Sequence, residues 1–411
     1  MKNYSYGLIT GFIIILIFSF NSKSTSSETT INAEDVPLIV KDSRSHEFYV
    51  EQALLWKEVL DHDKSNENAW YNLFKANRFA KLTYNSEHSP GKSWVENTEW
   101  INEANHLMKG NDIISQIEKS IPKTFMAYYL KFYNRENIGN EDFSLLEKAY
   151  AINPDFYDIY DDFIIHFEVF NNKKKRKEFN KKWFKSNDFS QNLLNYYYNV
   201  LMTLKPNSVF FCYGDNDLLA SFMLQDALGV REDITVVNIP LMVTEKNYRS
   251  TIFKKLNIKP LNKDFQNGWS DSNMKEVIEY MIANKPKELP LYFGLGLKNT
   301  LKKNFEEKLY LVGLALEYSE TNIDNLAELK KNYNHKYLLD YINIQFSNDD
   351  YEISLNANYI HGISLLYDHY KMSGDMNKAK EMSDLALLIA NNIESPYLVE
   401  FKKNVIHHFS K

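Results

Sequence analysis

The sequence is poor in cysteine and carries no excess of positive charge. Its 411 residues include a single cysteine, Cys212, which excludes an intramolecular disulfide and a thiolate metal cluster. Because Cys212 lies inside an apolar run, we expect a buried and unreactive thiol. Basic residues number 48 against 54 acidic residues, for a net charge of −6. No overall field attracts nucleic acid, and we expect no nucleic-acid partner.

Several catalytic patterns are also missing. The ten histidines form neither HxxxH nor HExxH, and the sequence contains no G-x-S-x-G segment. No glycine-rich phosphate loop follows the first predicted strand, which argues against a dinucleotide site. The hydrophobic content of 44% is nevertheless ample for two or three packed domains. Architecture is therefore easier to predict from this sequence than a reaction.

The N-terminus indicates export. Lys2 precedes the uncharged stretch Gly7–Phe20, which is shorter than the roughly 20 residues of a spanning helix and fits a secretory signal. Residues 1–24 are predicted to be a signal peptide or an uncleaved N-terminal anchor, and residues 25–45 a flexible tether. We expect an exported protein, periplasmic or anchored to the inner membrane, whose membrane association involves only the N-terminus.

Helical repeats are predicted on both sides of the chain's centre. In residues 46–205, Trp70 follows Lys64 by six positions and Tyr160 follows Pro154 by six, a spacing that resembles tetratricopeptide repeats. Residues 301–411 form a second helical repeat region, with Gly374 at a turn between helices. Stacked helical hairpins form a concave groove. We expect this groove to hold an envelope protein or a peptide.

The centre of the chain, residues 206–300, alternates between strand and helix. An apolar strand, Val209–Tyr213, precedes a helix that ends at Gly229, and a β-branched strand follows at Ile234–Ile239. A third strand is predicted at Pro290–Gly294 and a helix over Asn304–Leu316. The predicted fold class is α + α/β, with tetratricopeptide-like helical repeats flanking a small Rossmann-like parallel sheet.

Polar residues follow the predicted strands and should meet at one edge of the sheet, the rim where the strands' carboxyl ends lie. Gly214 should be the turn at the centre of this unit, and a positive φ there would exclude other residues. The candidate ligand-binding residues are Asp215, Asn216, Asp217, Asn238, Lys298 and Asn299.

The D-x-D pair Asp215 and Asp217 leaves three interpretations open. One carboxylate caps the following helix, or the pair binds a ligand, or it holds Mg²⁺ or Mn²⁺ against a phosphate. No cofactor is expected under the first interpretation, and Mn²⁺ or Mg²⁺ under the last.

A basic run provides a second candidate surface. It is either a solvated helix face or a patch for a glycan, another anionic ligand or an acidic partner. Its residues are Lys173, Lys174, Lys175, Arg176, Lys177, Lys181, Lys182 and Lys185.

The motifs GDND, GVRED, VVN and PLYF occur in that order between Pro206 and Tyr318. This segment resembles the soluble C-terminal portion of a bacterial family of multi-spanning membrane proteins likened to protein O-mannosyltransferases. Leu218 to Ala220 depart from that family's usual Thr-Phe-Pro after GDND. The resemblance implies an accessory region, separate from the membrane half where sugar transfer would occur.

Two functions follow from these observations. The first is a non-catalytic, exported repeat protein that acts as a binding scaffold in the cell envelope. The alternative is an enzyme that transfers a sugar or phosphate group at the Asp215-Asn216-Asp217 rim with a divalent cation. The absence of visible catalytic machinery favours the scaffold.

Overall fold

A computed structural model describes residues 31–37, 44–88, 107–134, 143–265, 270–343, 352, 355–393 and 398–410. The predicted signal or anchor at residues 1–24 lies outside these described residues. Within them, no helix is both long and apolar enough to cross a lipid bilayer.

Most of the described chain is helical. In chain order the α-helices are α1 His46–His62, α2 Glu67–His88, α3 Gly110–Ser120, α4 Phe125–Tyr133, α5 Phe143–Ile152, α6 Tyr160–Val169, α7 Lys173–Ser186, α8 Gln191–Thr203, α9 Asp215–Leu228, α10 Ile239–Thr244, α11 Lys246–Lys255, α12 Asp271–Asn284, α13 Asn299–Lys302, α14 Asn325–His335, α15 Ala357–Ser373, α16 Met376–Asn392 and α17 Val399–Phe409. Short 3₁₀ segments lie at Tyr157–Ile159, Lys303–Lys308 and Asp340–Asn343.

A five-stranded sheet lies at the centre, in the order β2-β1-β3-β5-β4. Its strands are β1 Val209–Cys212, β2 Thr235–Asn238, β3 Leu291–Gly294, β4 Leu309–Leu311 and β5 Ala315–Tyr318. Strand β1 pairs in parallel with β2 and β3, and β5 runs antiparallel to β3 and β4. The sheet is therefore mixed, which corrects the expectation of a parallel sheet. Only the three strands β1, β2 and β3 are parallel, as predicted.

The predicted strand–helix–strand unit is confirmed as β1, α9 and β2. Helix α9 ends as expected at Gly229, whose φ of +69° is the left-handed conformation that glycine adopts without strain. The N–H groups of Gly229 and Val230 donate to carbonyls one turn back, at 3.2 and 3.0 Å, and so close the helix end.

The helix predicted over Asn304–Leu316 is wrong. A 3₁₀ segment ends at Lys308, and the next residues form the β4–β5 hairpin. Gly313 turns this hairpin with φ +147°, a conformation open to glycine. The open edge of β3 supplies hydrogen-bond partners that the local sequence does not reveal, so tertiary pairing overrides the helical pattern. Both strands lie beyond residue 300, the predicted boundary of the sheet domain.

Both faces of the sheet are covered. In β1, Phe210 and Cys212 pack into the core that continues into the helical arrays, whereas Val209 and Phe211 pack against α10, α11 and α12. This alternation follows from the two-residue period of a strand. Cys212 is fully buried, as expected, and burial raises the pKa of its thiol well above the ordinary value. The thiol therefore stays protonated and unreactive.

Two helical segments share a hydrogen bond that matches their shared spacing. Trp70 Nε1 donates to the carbonyl of Lys64 at 3.0 Å, and the Tyr160 hydroxyl donates to the carbonyl of Pro154 at 2.8 Å. In both cases an aromatic side chain closes the turn that begins six residues earlier. Trp70 and Tyr160 are both buried, so the turn and the core are fixed by the same residue.

Part of the predicted flexible tether is held in place. Within residues 25–45, the short segment Glu34–Val36 packs on α1 and α2, and Val36 is only 1% exposed. Hydrogen bonds between helix side chains and its main chain fix this segment, which composition alone could not predict. The tether prediction is therefore wrong for these residues.

Candidate functional site

The rim is organised by one carboxylate. Gly214, the residue before α9, has φ −89° and ψ 161°, so the condition of a positive φ is not met. This extended conformation lets the N–H groups of Tyr213 and Gly214 both donate to Asp217 Oδ2, at 3.1 and 3.0 Å. The hydroxyl of Tyr197 donates to Asp217 Oδ1. Asp217 therefore closes the first turn of α9 as a helix cap.

Asp215 and Asp217 lie in different surroundings. They occupy the first and third positions of α9. Residues two apart in a helix point in different directions, and Asp215 is exposed whereas Asp217 is partly buried. Both oxygens of Asp217 already accept hydrogen bonds. In the described part of the chain, no three His, Cys, Asp or Glu side chains are grouped to hold a metal ion. Asn216, between the two, is partly buried.

Asn238 has a structural role at the end of β2. Its Oδ1 accepts the N–H of Leu241 at 3.0 Å, which caps α10, and its Nδ2 donates to the carbonyl of Tyr213 at 3.4 Å. The side chain is almost fully buried, at 1% exposure. Asn238 therefore joins the ends of β1 and β2 but offers no accessible surface to a ligand.

Lys298 lies at the outer side of the rim. Its Nζ is 2.9 Å from Asp271 Oδ1 and 5.3 Å from the centre of the Tyr213 ring. Burial lowers the pKa of Lys298, but hydrogen bonds with Asp271 and Tyr213 outweigh that effect and raise it. The ammonium group is therefore charged and paired. Asn299, the first residue of α13, is exposed.

A cavity of about 170 Å³ lies beside Asp217, where β1 and β3 end against α8. Among the six candidate ligand-binding residues, only Asp217 lines it. Its lining residues are Tyr196, Tyr197, Val200, Phe210, Tyr213, Gly214, Asp217, Gly294, Leu295, Gly296, Leu314, Leu355 and Asn358.

The cavity combines aromatic walls with a few fixed polar groups. Asn358 Nδ2 donates to the Tyr196 hydroxyl at 2.9 Å, which links α15 to α8 across the cavity. Burial raises the pKa of Tyr196 well above its ordinary value, so this phenol stays neutral. Asp217 contributes an acidic side chain to the lining. The site can therefore accept and donate hydrogen bonds without a cation.

Sequence reasoning missed the residues that complete this site. The run Tyr196-Tyr197-Tyr198 is visible in the sequence, yet nothing in it indicates that α8 lies across the rim. Asn358 is separated from Tyr196 by more than 160 residues along the chain, and only the folded chain brings the two together. Tyr213, directly before GDND, belongs to the predicted strand and not to the candidate ligand-binding residues.

The basic run forms α7, but it is not a uniform patch. Its exposed members are Lys173, Lys174, Lys175, Lys181, Lys182 and Lys185, and Lys177 is half-buried.

Arg176 does not belong to the predicted basic patch, because it is 7% exposed and faces the interior. Its guanidinium donates to both oxygens of Asp226, at 2.8 and 2.9 Å, and to Glu168. It also lies 3.9 Å from the centre of the Phe222 ring. At the surface, Lys182 pairs with Glu178 at 3.1 Å. The remaining charge is therefore partly neutralised.

Residues 194–385 match a family profile, TMEM260-associated domain 2. The match includes the whole segment Pro206–Tyr318 and relates it to a TMEM260-like family. Every residue that lines the cavity beside Asp217 lies within the matched span. A search among curated proteins finds no match.

Proposed function

We propose that this protein is a non-catalytic binding scaffold of the cell envelope, and that the cavity beside Asp217 recognises a neutral sugar ring. The observation that carries the proposal is the composition of the cavity: three tyrosines, one asparagine and one carboxylate fixed by its own neighbours. Mostly apolar pockets with a few well-placed polar groups are typical ligand sites. Tyrosine rings can cover the C–H faces of a sugar, while amide and carboxylate groups bind its hydroxyls.

The charge of Asp217 and the volume of the cavity restrict the class of ligand that can bind. The carboxylate of Asp217 would repel an anionic group, since a buried like-charge contact is strongly unfavourable. The cavity volume of about 170 Å³ is small beside the ~300–1,000 Å³ of pockets for drug-sized ligands. A single sugar ring suits this space better than a nucleotide sugar. We therefore assign any anionic ligand or acidic partner to the exposed lysines of α7.

The architecture and the family match support the scaffold role. We propose that the helical hairpins are tetratricopeptide-like and hold an envelope protein or peptide, and that β1 to β3 are the remnant of a Rossmann-like sheet. TMEM260 is likened to O-mannosyltransferases, so mannose is the first sugar to test. Export to the periplasm or anchorage in the inner membrane remains part of this proposal, supported by Lys2 and the apolar stretch that follows it.

The alternative is sugar or phosphate transfer at Asp215-Asn216-Asp217 with Mn²⁺ or Mg²⁺. The spacing of the two carboxylates disfavours it, because residues two apart in a helix do not face each other and a cation held against a phosphate needs both in reach. The hydrogen bonds of Tyr213 and Gly214 to Asp217 would also have to be broken.

Saturation-transfer NMR with mannose and methyl α-mannoside tests the proposal on the purified chain. We expect transfer to the sugar, and its loss in Asn358→Ala and Tyr196→Phe. Asn299→Ala is the matched control, because Asn299 lies at the rim but outside the cavity. Neutral hexoses other than mannose serve as a second panel.

Absence of transfer to every neutral sugar, or equal transfer in the Asn358→Ala variant, would contradict sugar recognition. A separate assay measures turnover of a nucleotide sugar with Mn²⁺. Turnover that disappears in Asp215→Asn combined with Asp217→Asn would establish the enzyme alternative and exclude the non-catalytic scaffold.

A further inference from the structure

The α1–α2 hairpin holds an extended piece of the same chain on a polar face. We define this polar face as the side chains of Gln52, Trp56, Asn68, Asn72 and Lys75. The N–H of Glu34 donates to Gln52 Oε1 at 2.7 Å, and Trp56 Nε1 donates to the carbonyl of Glu34 at 2.8 Å. Both main-chain groups of Glu34 are thus bound by side chains of α1.

Val36 is bound in the same way by side chains of α2. Its N–H donates to Asn72 Oδ1 at 2.8 Å, and Lys75 Nζ donates to its carbonyl. Residues 34 and 36 therefore present both main-chain groups to the polar face, with one residue skipped between them. That is the two-residue period of an extended strand. Main-chain atoms are common to all residues, so these four bonds select an extended conformation more than a sequence.

Two side chains add sequence preference. The carboxylate of Asp35 accepts from Asn72 Nδ2 at 2.9 Å and from Asn68 Nδ2 at 3.3 Å. The side chain of Val36 is inserted into the core, with 1% exposure. An acidic residue followed by a β-branched residue therefore fits this face. A basic residue at the first position would lose both amide donors, because asparagine Nδ2 cannot accept.

The polar face is also strongly buried while the segment occupies it. Gln52, Asn72 and Lys75 are 3%, 1% and 7% exposed, respectively. Burying polar side chains without partners is unfavourable, and here the partners come from Glu34 and Val36. The side chains project from rigid helices and are matched to a peptide main chain, which is what a peptide-binding groove requires.

We propose that this polar face is a binding site for an extended segment of a partner protein, with an acidic residue followed by a β-branched one. Residues 34–36 occupy it as an internal competitor that the partner must displace. This competitor lies a few residues before α1 in the same chain, and such a short connection gives an effective concentration on the order of millimolar. This inference rests on the scaffold role proposed above, and it adds the class of partner and a means of regulation.

Fluorescence anisotropy with a labelled INAEDVP peptide, the sequence of residues 31–37, tests the proposal on the full chain. Val36→Asp weakens the internal competitor without altering the polar face. We expect this variant to bind the peptide at least roughly tenfold more tightly than the unaltered chain, because the competing local concentration is removed. Asn32→Asp is the matched control, since it adds the same charge to an exposed position of the same segment.

A second substitution checks the site itself. Asn72→Leu in the Val36→Asp chain should abolish peptide binding, and circular dichroism confirms that this chain remains folded. Lack of binding by the Val36→Asp chain at millimolar peptide would overturn the proposal, as would equal binding by the Asn72→Leu variant. A dimer of the unaltered chain that dissociates in Val36→Asp would assign the segment to a second copy and also overturn it. Mannose binding measured on these variants keeps failure at this face distinct from failure at the cavity.

Discussion

The two ends of helix α9 hold carboxylates in opposite ways. Near its start, Asp217 accepts from the N–H groups of Tyr213 and Gly214 and from the Tyr197 hydroxyl, beside a cavity. Near its end, Asp226 is 7% exposed and is held by the guanidinium of Arg176. The first carboxylate has neutral donors at an accessible rim, and the second has a charged partner in a closed interior.

The two carboxylates differ in whether a ligand can share their hydrogen bonds. The hydrogen bonds of Asp217 come from neutral donors and contribute about 1.5–3 kcal/mol each, and a ligand at the rim can share them without leaving a buried cation unpaired. A buried ion pair is different, because removal of one partner leaves a charge without compensation. Asp217 can therefore take part in recognition, whereas Arg176 and Asp226 join α7 to α9 and maintain the position of the rim.

The largest expected effect comes from Arg176→Met. This change leaves Glu168 and Asp226 buried without a cationic partner, so the free energy of unfolding should fall by about 3–5 kcal/mol. Lys174→Met, at an exposed position of the same helix, should change it by less than about 0.5 kcal/mol. Urea denaturation followed by circular dichroism measures both. Equal midpoints for the two variants would mean that the ion pair does not support the fold.

A smaller effect is expected from Asp217→Ala. The N–H groups of Tyr213 and Gly214 lose their acceptor, so the free energy of unfolding should fall by about 1–2 kcal/mol, as for loss of a helix cap. Asp215→Ala removes the favourable interaction of an exposed first-turn carboxylate with the helix dipole, about 0.3–1 kcal/mol. Thermal unfolding compares the two. If both variants lost the same stability and also a Mn²⁺-dependent stabilisation, Asp215 and Asp217 would be a metal pair.

The local part of the fold could be predicted from the sequence. Strand β1, helix α9, the stop at Gly229 and strand β2 each depend on residues within the same short segment, where hydrophobic period and glycine are informative. The β4–β5 hairpin could not be predicted in this way. It exists because β3 offers it an open edge, and that pairing joins residues well separated along the chain.

The residues of the candidate site also differ in whether their partners are near or distant in the sequence. The sequence predicts helix capping as one role of Asp217, because its partners Tyr213 and Gly214 are its near neighbours. The basic run around Arg176 predicts a surface patch, whereas its partner Asp226 lies 50 residues away in the sequence. The roles of Tyr196 and Asn358 could not be predicted for the same reason, because the two residues are distant from each other in the sequence. The spacing of residues along the chain predicts helix caps and turns, but it does not predict which helices pack beside the rim of the sheet.

The smallest expected effect compares the two glycines that flank α9. Gly229 has φ +69°, so Gly229→Ala forces a side chain into the left-handed region and should lower the free energy of unfolding by about 1 kcal/mol. Gly214 has extended backbone, and an added Cβ would lie 3.7 Å from Asp217 Oδ2, an ordinary contact. Gly214→Ala should therefore change stability by less than about 0.5 kcal/mol. Thermal unfolding of both variants in one buffer makes the measurement. A larger loss for Gly214→Ala than for Gly229→Ala would show that the rim, and not the helix end, is the strained part of this unit.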